Sequence, residues 1–227
     1  MTAVLRDITG NLSPGIKSGL GTTVIGVYAN LAALAAVNAA NYPVGSIAMV
    51  GPDSYGQYAR WYSNGIRWRP HSATIFQNTT PAILTDTTTT ETDVLSYTLP
   101  KELVGPNDII TVNYLWAWTN NATNKTPRVY IAGSKVMEQI TASGAGFRGS
   151  SWLEFRDSKA SQGCPNGILG IAYTDGGPGS SGGIQTNTVD VNTTDVVIRA
   201  SAQWGAGGSG TNNITLHRFS ARLEFVS

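Results

Sequence analysis

Two hydrophobic rhythms run along this chain, and they change over near residue 94. Beyond that point apolar residues recur at every second position. Ile110, Val112, Tyr114, Trp116 and Trp118 form one such run. Val129 and Ile131 repeat it, as do Leu153 and Phe155, and then Val196, Ile198, Ala200, Ala202 and Trp204. Phe219, Ala221, Leu223 and Phe225 close the series, opposite Arg218, Ser220, Arg222 and Glu224. A period of two puts successive side chains on opposite faces of a strand, so each run predicts a strand with one buried face. Loops rich in Gly, Asn and Pro separate the runs at near-regular spacing, and no helix-length periodic segment intervenes. The pattern predicts an antiparallel jelly-roll β-sandwich over residues 94–227 and argues against an α/β fold.

Upstream the rhythm differs. Leu31, Leu34 and Val37 follow helical spacing among alanines, Asn30 can cap them, and Tyr42-Pro43 cannot continue a helix. A helix is expected over 30–40. It is either a stripe for helix association or a face packed on its own small sheet. Ser46–Val50, Gln57–Tyr62 and Ile66–Arg69 read as strands, and Asn64-Gly65 supplies a hairpin turn. Before residue 28, glycines and Pro14 recur too often for a helix interior. The expected organisation is an extended arm (1–27), a helix and β-hairpin module (28–71), a connector with the run Thr87–Thr90 (72–93), and the sandwich (94–227). Ala82–Thr85 is a candidate first strand within that connector.

Composition narrows the function classes. Only 13% of the 227 residues are charged, against about 25% in ordinary soluble domains. Fifteen Lys and Arg face fourteen Asp and Glu, for a net charge of +1. Nucleic-acid binding driven by bulk charge is therefore not expected. Hydrophobic content of 41% excludes global disorder. The most apolar stretch, Val24 to Val37, is broken by Gly26, Tyr28 and Asn30, so no membrane insertion is expected. The N-terminus has no apolar run after a basic start, so synthesis in a cytoplasm without a secretory signal is expected. Cys164 sits in a turn-like stretch with no adjacent base and reads as structural.

Candidate chemistry is sparse. His71 and His217 belong to no zinc-ligand pattern, and no G-x-S-x-G elbow occurs. The fourteen acids are scattered, whereas glycoside cleavage needs two carboxylates across one groove. Asp190 to Asp195 offers alternating oxygens without the glycine and terminal Glu of an EF-hand, and reads as a strand connection. No catalytic residue, cofactor or metal ligand is assigned. Two glycine-rich loops, 175–183 and 205–213, lack lysine and precede strands rather than helices, which excludes a phosphate cradle. They read as displayed loops, with Asp175, Ser180, Ser181, Ser209, Thr211 and Asn212 as candidate receptor contacts. The Arg, Trp and Tyr residues between 58 and 69 have two readings. They are a small core covered by cation–π contacts, or a platform that stacks bases or sugars.

Three segments resemble a module of tailed-bacteriophage virion proteins. They are Tyr28-Ala-Asn-Leu-Ala-Ala-Leu, Asn41-Tyr-Pro-Val-Gly-Ser-Ile-Ala-Met-Val and Ser63-Asn-Gly-Ile-Arg-Trp-Arg-Pro. The module occurs in tail-fibre, baseplate and head-fibre proteins, and the match spans residues 28–70. His71 departs from the valine that many members carry there. The remainder is similar in style to the tumour-necrosis-factor-like trimeric jelly rolls that end many phage fibres. The resemblance implies a homotrimer on the virion surface, joined to other tail or capsid proteins through its N-terminus. Attachment would use Leu5, Ile8, Leu12 and Ile16. The trimer interface would use Leu31, Leu34, Trp68, Trp116 and Trp118. The implied role is non-enzymatic: a fibre, tail-tip or capsid-decoration protein binding a host-surface glycan. A polysaccharide-cleaving tailspike and a stand-alone bacterial lectin are the alternatives.

Overall fold

The computed structural model describes residues 24–52, 58–70, 73–78, 80–142, 144–155 and 189–224, and the backbone alone of Ser72, 162–165, 184–187 and Phe225. The chain is mainly β, as its sequence pattern predicts. A small four-stranded sheet holds β1 (Val24–Tyr28), β2 (Ile47–Val50), β3 (Ala59–Ser63) and β4 (Trp68–Arg69) in that spatial order. β1 lies parallel to β2, and the other pairs are antiparallel. The module therefore starts earlier than residue 28, because Val24–Tyr28 is a paired strand rather than arm. Residues 1–23, with the proposed attachment positions Leu5, Ile8, Leu12 and Ile16, lie outside the described residues.

The module's helix is shorter than 30–40. α1 runs only from Leu31 to Ala35, and a 3-10 turn follows at Ala39–Asn41. Both ends have a local cause. Asn30 Oδ1 accepts the Ala33 N–H at 2.9 Å and starts the helix. Asn38 Oδ1 accepts the Ala40 N–H at 3.0 Å and starts a new turn instead of continuing the old one. The helix buries Leu31 and Leu34 on its own sheet, which decides between the two readings of the Ala-rich stripe. Ser63 Oγ donates to the Ala39 carbonyl, and Trp68 Nε1 donates to the Val37 carbonyl at 2.7 Å, tying the segment to the hairpin. The hairpin loop spans residues 64–67. Asn64 Oδ1 accepts the N–H groups of both Ile66 and Arg67, and Gly65 takes φ +85°.

The sandwich pairs a four-stranded sheet with a seven-stranded one. The first holds, in spatial order, β10 (Ser134–Glu138), β9 (Arg128–Ile131), β14 (Val196–Ala202) and β7 (Thr92–Leu99). The second holds β13 (Ile184–Asn187), β12 (Gln162–Pro165), β11 (Gly146–Glu154), β8 (Asp108–Trp118), β15 (Asn213–Phe225) and β5 (Ser72–Asn78). β6 (Ala82–Thr85) also pairs with β15. Residues 72–78, expected as connector, and the candidate strand Ala82–Thr85 are thus two pieces of one edge strand. Pro81 interrupts it, since proline lacks the N–H a ladder requires and is tolerated at edges. Cys164 belongs to β12, not to a loop.

The alternating runs form the core between the two sheets. Ile110, Val112, Trp116, Ile198, Phe219 and Leu223 are fully buried. Phe76 and Tyr97 stack at 4.7 Å between ring centroids and join the two sheets at one open side. The residues expected at a trimer interface belong to this single-chain packing. Leu31, Leu34, Trp68, Trp116 and Trp118 are each 8% exposed or less within a single chain. They are packed chiefly by their own fold.

A buried ion pair locks the module to the sandwich. Arg69 on β4 meets the carboxylate of Asp108 at the start of β8, with both nitrogens of its fork engaged. The Gly105 N–H also donates to Asp108 Oδ2 at 2.8 Å. Asp108 is completely buried, and that burial pushes its carboxyl up to about 6, against the pull of Arg69. Arg67 reaches Asn192, and the Lys101 N–H donates to Asp195 Oδ1 at 3.0 Å, extending the seam.

Removing one member of such a pair leaves a buried charge, at a cost of about 3–5 kcal/mol. Arg69→Met is expected to destabilise the fold by that amount in urea unfolding at neutral pH. A folded-state pKa above the unfolded value means this group's stability is complete below about 4 and falls as pH rises. Without Arg69 the folded pKa climbs further, so the variant's deficit should be smallest near pH 5 and largest above pH 7. An equal deficit at both pH values would count against the buried pair.

Candidate functional site

The docked module leaves an open groove of about 640 Å³ along the edge of the sandwich where Phe76 and Tyr97 stack. Asn30, Tyr58, Arg60 and Trp61 line it from the module, and Thr74 and Tyr97 from β5 and β7. Strand alternation sets these roles. On β3, Trp61 points inward and is fully buried, while Arg60 points outward and is exposed. Tyr58 precedes the strand and is 45% exposed. Burial pushes the Tyr97 hydroxyl up, so it remains a neutral donor through the physiological range.

Trp61 carries the most informative atom. Its indole N–H is buried and has no hydrogen-bond partner among the described residues. An unmet buried donor costs about 1–3 kcal/mol. Aromatic faces, amide and hydroxyl donors and one cation suit a polyhydroxylated ring, whose C–H face stacks while its hydroxyls bond laterally. Among the described residues no carboxylate and no histidine lines the groove.

The aromatic cluster at 58–69 thus divides between its two readings. Trp61 and Trp68 are core, Arg69 is the lock, and Tyr58 and Arg60 face the groove. Thr74 and Tyr97 carried no sequence signal as site residues, because each looks like an ordinary strand position.

The predicted loops fare differently. Asp175, Ser180 and Ser181 lie outside the described residues. Residues 205–209 are exposed, and the hydroxyls of Ser209 and Thr211 face each other at 3.1 Å. The Asn212 side-chain amide is already committed, donating at 2.6 Å to Asp86 Oδ2. Asp86 Oδ1 also accepts the Gly210 N–H at 2.7 Å. These bonds, led by the Asn212 amide, hold the Asp86 carboxyl below its usual range. Gly208 is required here, since a Cβ on it would lie 2.0 Å from Asp86 Oδ2. The loop is held to the sandwich, with Ser209 and Thr211 at its tip.

The Asp190–Asp195 oxygens serve the fold. Asp190 Oδ1 accepts from the Asn192 backbone and side chain, Asn192 accepts from Arg67, and Asp195 accepts from Lys101. Beside this turn lies a second cavity, of about 240 Å³, between the end of α1, the hairpin and Lys101-Glu102. Burial and the charge of Arg69 both lower the Arg67 pKa there.

No family model matches the chain, and no curated protein matches it. Among solved structures, one similar chain is the CBM2 module of the evolved Dit of Lactobacillus casei BL23 phage J-1. It is 15% identical over 64% of this chain and 76% of that one, with a TM-score of 0.36. Lectin II from Ulex europaeus is 8% identical over 63% and 87%, with a TM-score of 0.27. A Bauhinia forficata lectin in complex with GalNAc is 12% identical over 79% and 87%, also at 0.27. At these scores the likeness assigns neither fold nor function.

Asp86 latches the 205–213 loop to the sandwich. A depressed carboxylate pKa means its contribution is present at neutral pH and disappears as pH falls through that lowered value, below about 4. Asp86→Ala should remove amide-exchange protection at Gly210 and Asn212 while the sandwich strands stay protected. Unchanged protection at both amides would show that the loop is held by other means.

Proposed function

We propose that this chain is a bacteriophage virion protein, a fibre, tail-tip or capsid-decoration component that binds a host-surface glycan in the groove between module and sandwich. The observation that carries the binding reading is the groove itself. It joins an exposed tyrosine, an exposed arginine and a buried tryptophan across the junction of module and sandwich. The virion reading rests on the segments between residues 28 and 70 that resemble a phage tail and head-fibre module. The role is non-enzymatic. The chain sits on the virion surface, attached through its N-terminal residues, and no described helix is long and apolar enough to cross a membrane.

The proposed assembly is a homotrimer formed on surfaces other than the five buried residues. Val27, Val44 and Ile66 are the module's most exposed apolar side chains, at 62%, 75% and 73%, and we assign the contact to them.

A glycan array probed with the purified protein should identify a ligand. Tyr58→Ala should then weaken it about tenfold, equivalent to about 1.4 kcal/mol, with unfolding unchanged. Binding that survives both Tyr58→Ala and Arg60→Ala would move the site elsewhere. Release of new reducing ends from a bound polysaccharide would establish an enzyme instead. Light scattering should give three times the 23.9 kDa chain mass, and a monomer at high concentration would overturn the trimer.

A further inference from the structure

The two outer faces of the sandwich treat charge in opposite ways. On the four-stranded sheet every cation has an acidic partner. Arg128 pairs with Glu138 at 2.5 Å and with Glu91 at 3.2 Å. Lys135 pairs with Glu138 at 3.3 Å, and Arg199 pairs with Asp93 at 2.5 Å. The Arg199 guanidinium also lies 3.9 Å over the Tyr130 ring, whose hydroxyl donates to Glu91 and is pushed up to about 12. Such a face is electrostatically closed.

The seven-stranded sheet is different. Its register fixes a grid of outward side chains. Around Leu115 on β8, Arg148 of β11 stands on one side and Arg218 of β15 on the other. The next row is Ser150, Asn113, Ser220 and Gln77. The third holds Trp152, Thr111, Arg222 and Thr74. The last carries Glu154, Ile109 and Glu224.

Four features mark this grid. First, Arg148 and Arg218 are exposed and have no ion-pair partner among the described residues. Secondly, the register of β15 shifts between Leu216 and Arg218, so His217 is an extra residue. Leu216 and Phe219 are both fully buried, which leaves two consecutive exposed residues, His217 and Arg218, beside Leu115. A bulge re-aims a side chain in this way at the expense of one ladder position. Thirdly, the acids Glu154 and Glu224 lie six residues along the strands from this basic end, about 20 Å at 3.4 Å per residue. At physiological ionic strength that is beyond a Debye length of about 8 Å, so they do not neutralise it. Fourthly, between the poles stand hydroxyls, amides and the exposed Arg222, one row from the acids. Half-buried Trp152 is there too, four residues or about 14 Å from the basic row.

We infer that this face is a binding surface for a linear acidic polysaccharide, with carboxylates seated between Arg148 and Arg218 and a sugar ring stacked on Trp152. Charge complementarity selects the occupant. The basic end needs an anion, a flat sheet face accepts an extended chain, and the Ser, Asn and Gln row offers lateral bonds to hydroxyls. Two arginines suit carboxylates bidentately. A nucleic acid would require neutralisation of many successive phosphates, which the acidic end of the same face opposes. The groove reading is independent of this surface, since the two share only Thr74.

Immobilised polygalacturonate is the probe, with dextran, oligo-dT and phosphatidylserine vesicles as comparisons. The full chain should bind polygalacturonate, with affinity falling as salt rises, and should not bind dextran. The double variant Arg148→Ser, Arg218→Ser should weaken binding at least tenfold with an unchanged melting temperature. Trp152→Ala should weaken it and leave the residual salt dependence intact. Tyr58→Ala, which tests the groove, should leave it unaltered. The inference is overturned if polygalacturonate, alginate and hyaluronan all fail to bind, or if the double variant binds as the parent does. Equal retention of oligo-dT or vesicles would also overturn it, by showing simple cation exchange.

Discussion

The contact between Arg69 and Asp108 is the constraint on which the rest depends. β4 pairs with β3, inside the module's own sheet, and so does not tie the module to the sandwich by backbone pairing. The module is instead fixed by a guanidinium whose fork matches a carboxylate planted at the first residue of β8. That carboxylate sits in the longest-paired part of the sandwich, where β8 is flanked by β11 and β15. Specific orientation follows from the planar fork, because a point charge would permit rotation. The groove exists only because this orientation leaves a gap between β3 and the β5–β7 edge.

A buried ion pair is a weak source of net stability and a strong source of geometry. Its surroundings fit that role. Gly105 lets both Arg67 and Arg69 approach, since a Cβ there would lie 2.8 Å and 2.9 Å from their terminal nitrogens. Leu103 and Val104 beside it are fully buried. Apolar burial supplies the driving force, and the polar seam selects one docking angle from the several that burial alone would allow.

Legibility from sequence followed the range of each interaction. Period-2 runs such as Ile110–Trp118 and Val196–Trp204 were read correctly, because burial of alternate residues is a local consequence of strand geometry. Caps and turns at Asn30 and Asn64 were legible for the same reason. The helix was read too long, since alanine propensity at 32–36 hides the competing cap at Asn38. Ala82–Thr85 was legible as a strand, but residues 72–78 read as connector, because an edge strand split by Pro81 has no continuous period. The large aromatics Trp116 and Trp118 were assigned to neighbours when their own sandwich was wide enough to bury them. The groove was half legible. Tyr58 and Arg60 stood in a dense aromatic stretch, but Thr74 and Tyr97 join them only through pairings distant in sequence.

The low charge content acquires meaning only when charge is placed on surfaces. Glu91, Arg128, Tyr130 and Arg199 show that this fold can neutralise the outer face of a sheet internally. With few charges available, an unpaired concentration is a departure from that habit rather than random solvation. Arg148, His217 and Arg218 form that departure, and a register shift is required to assemble it. A bulge interrupts the ladder of β15, and its position beside Leu115 ties that irregularity to the basic end of the face.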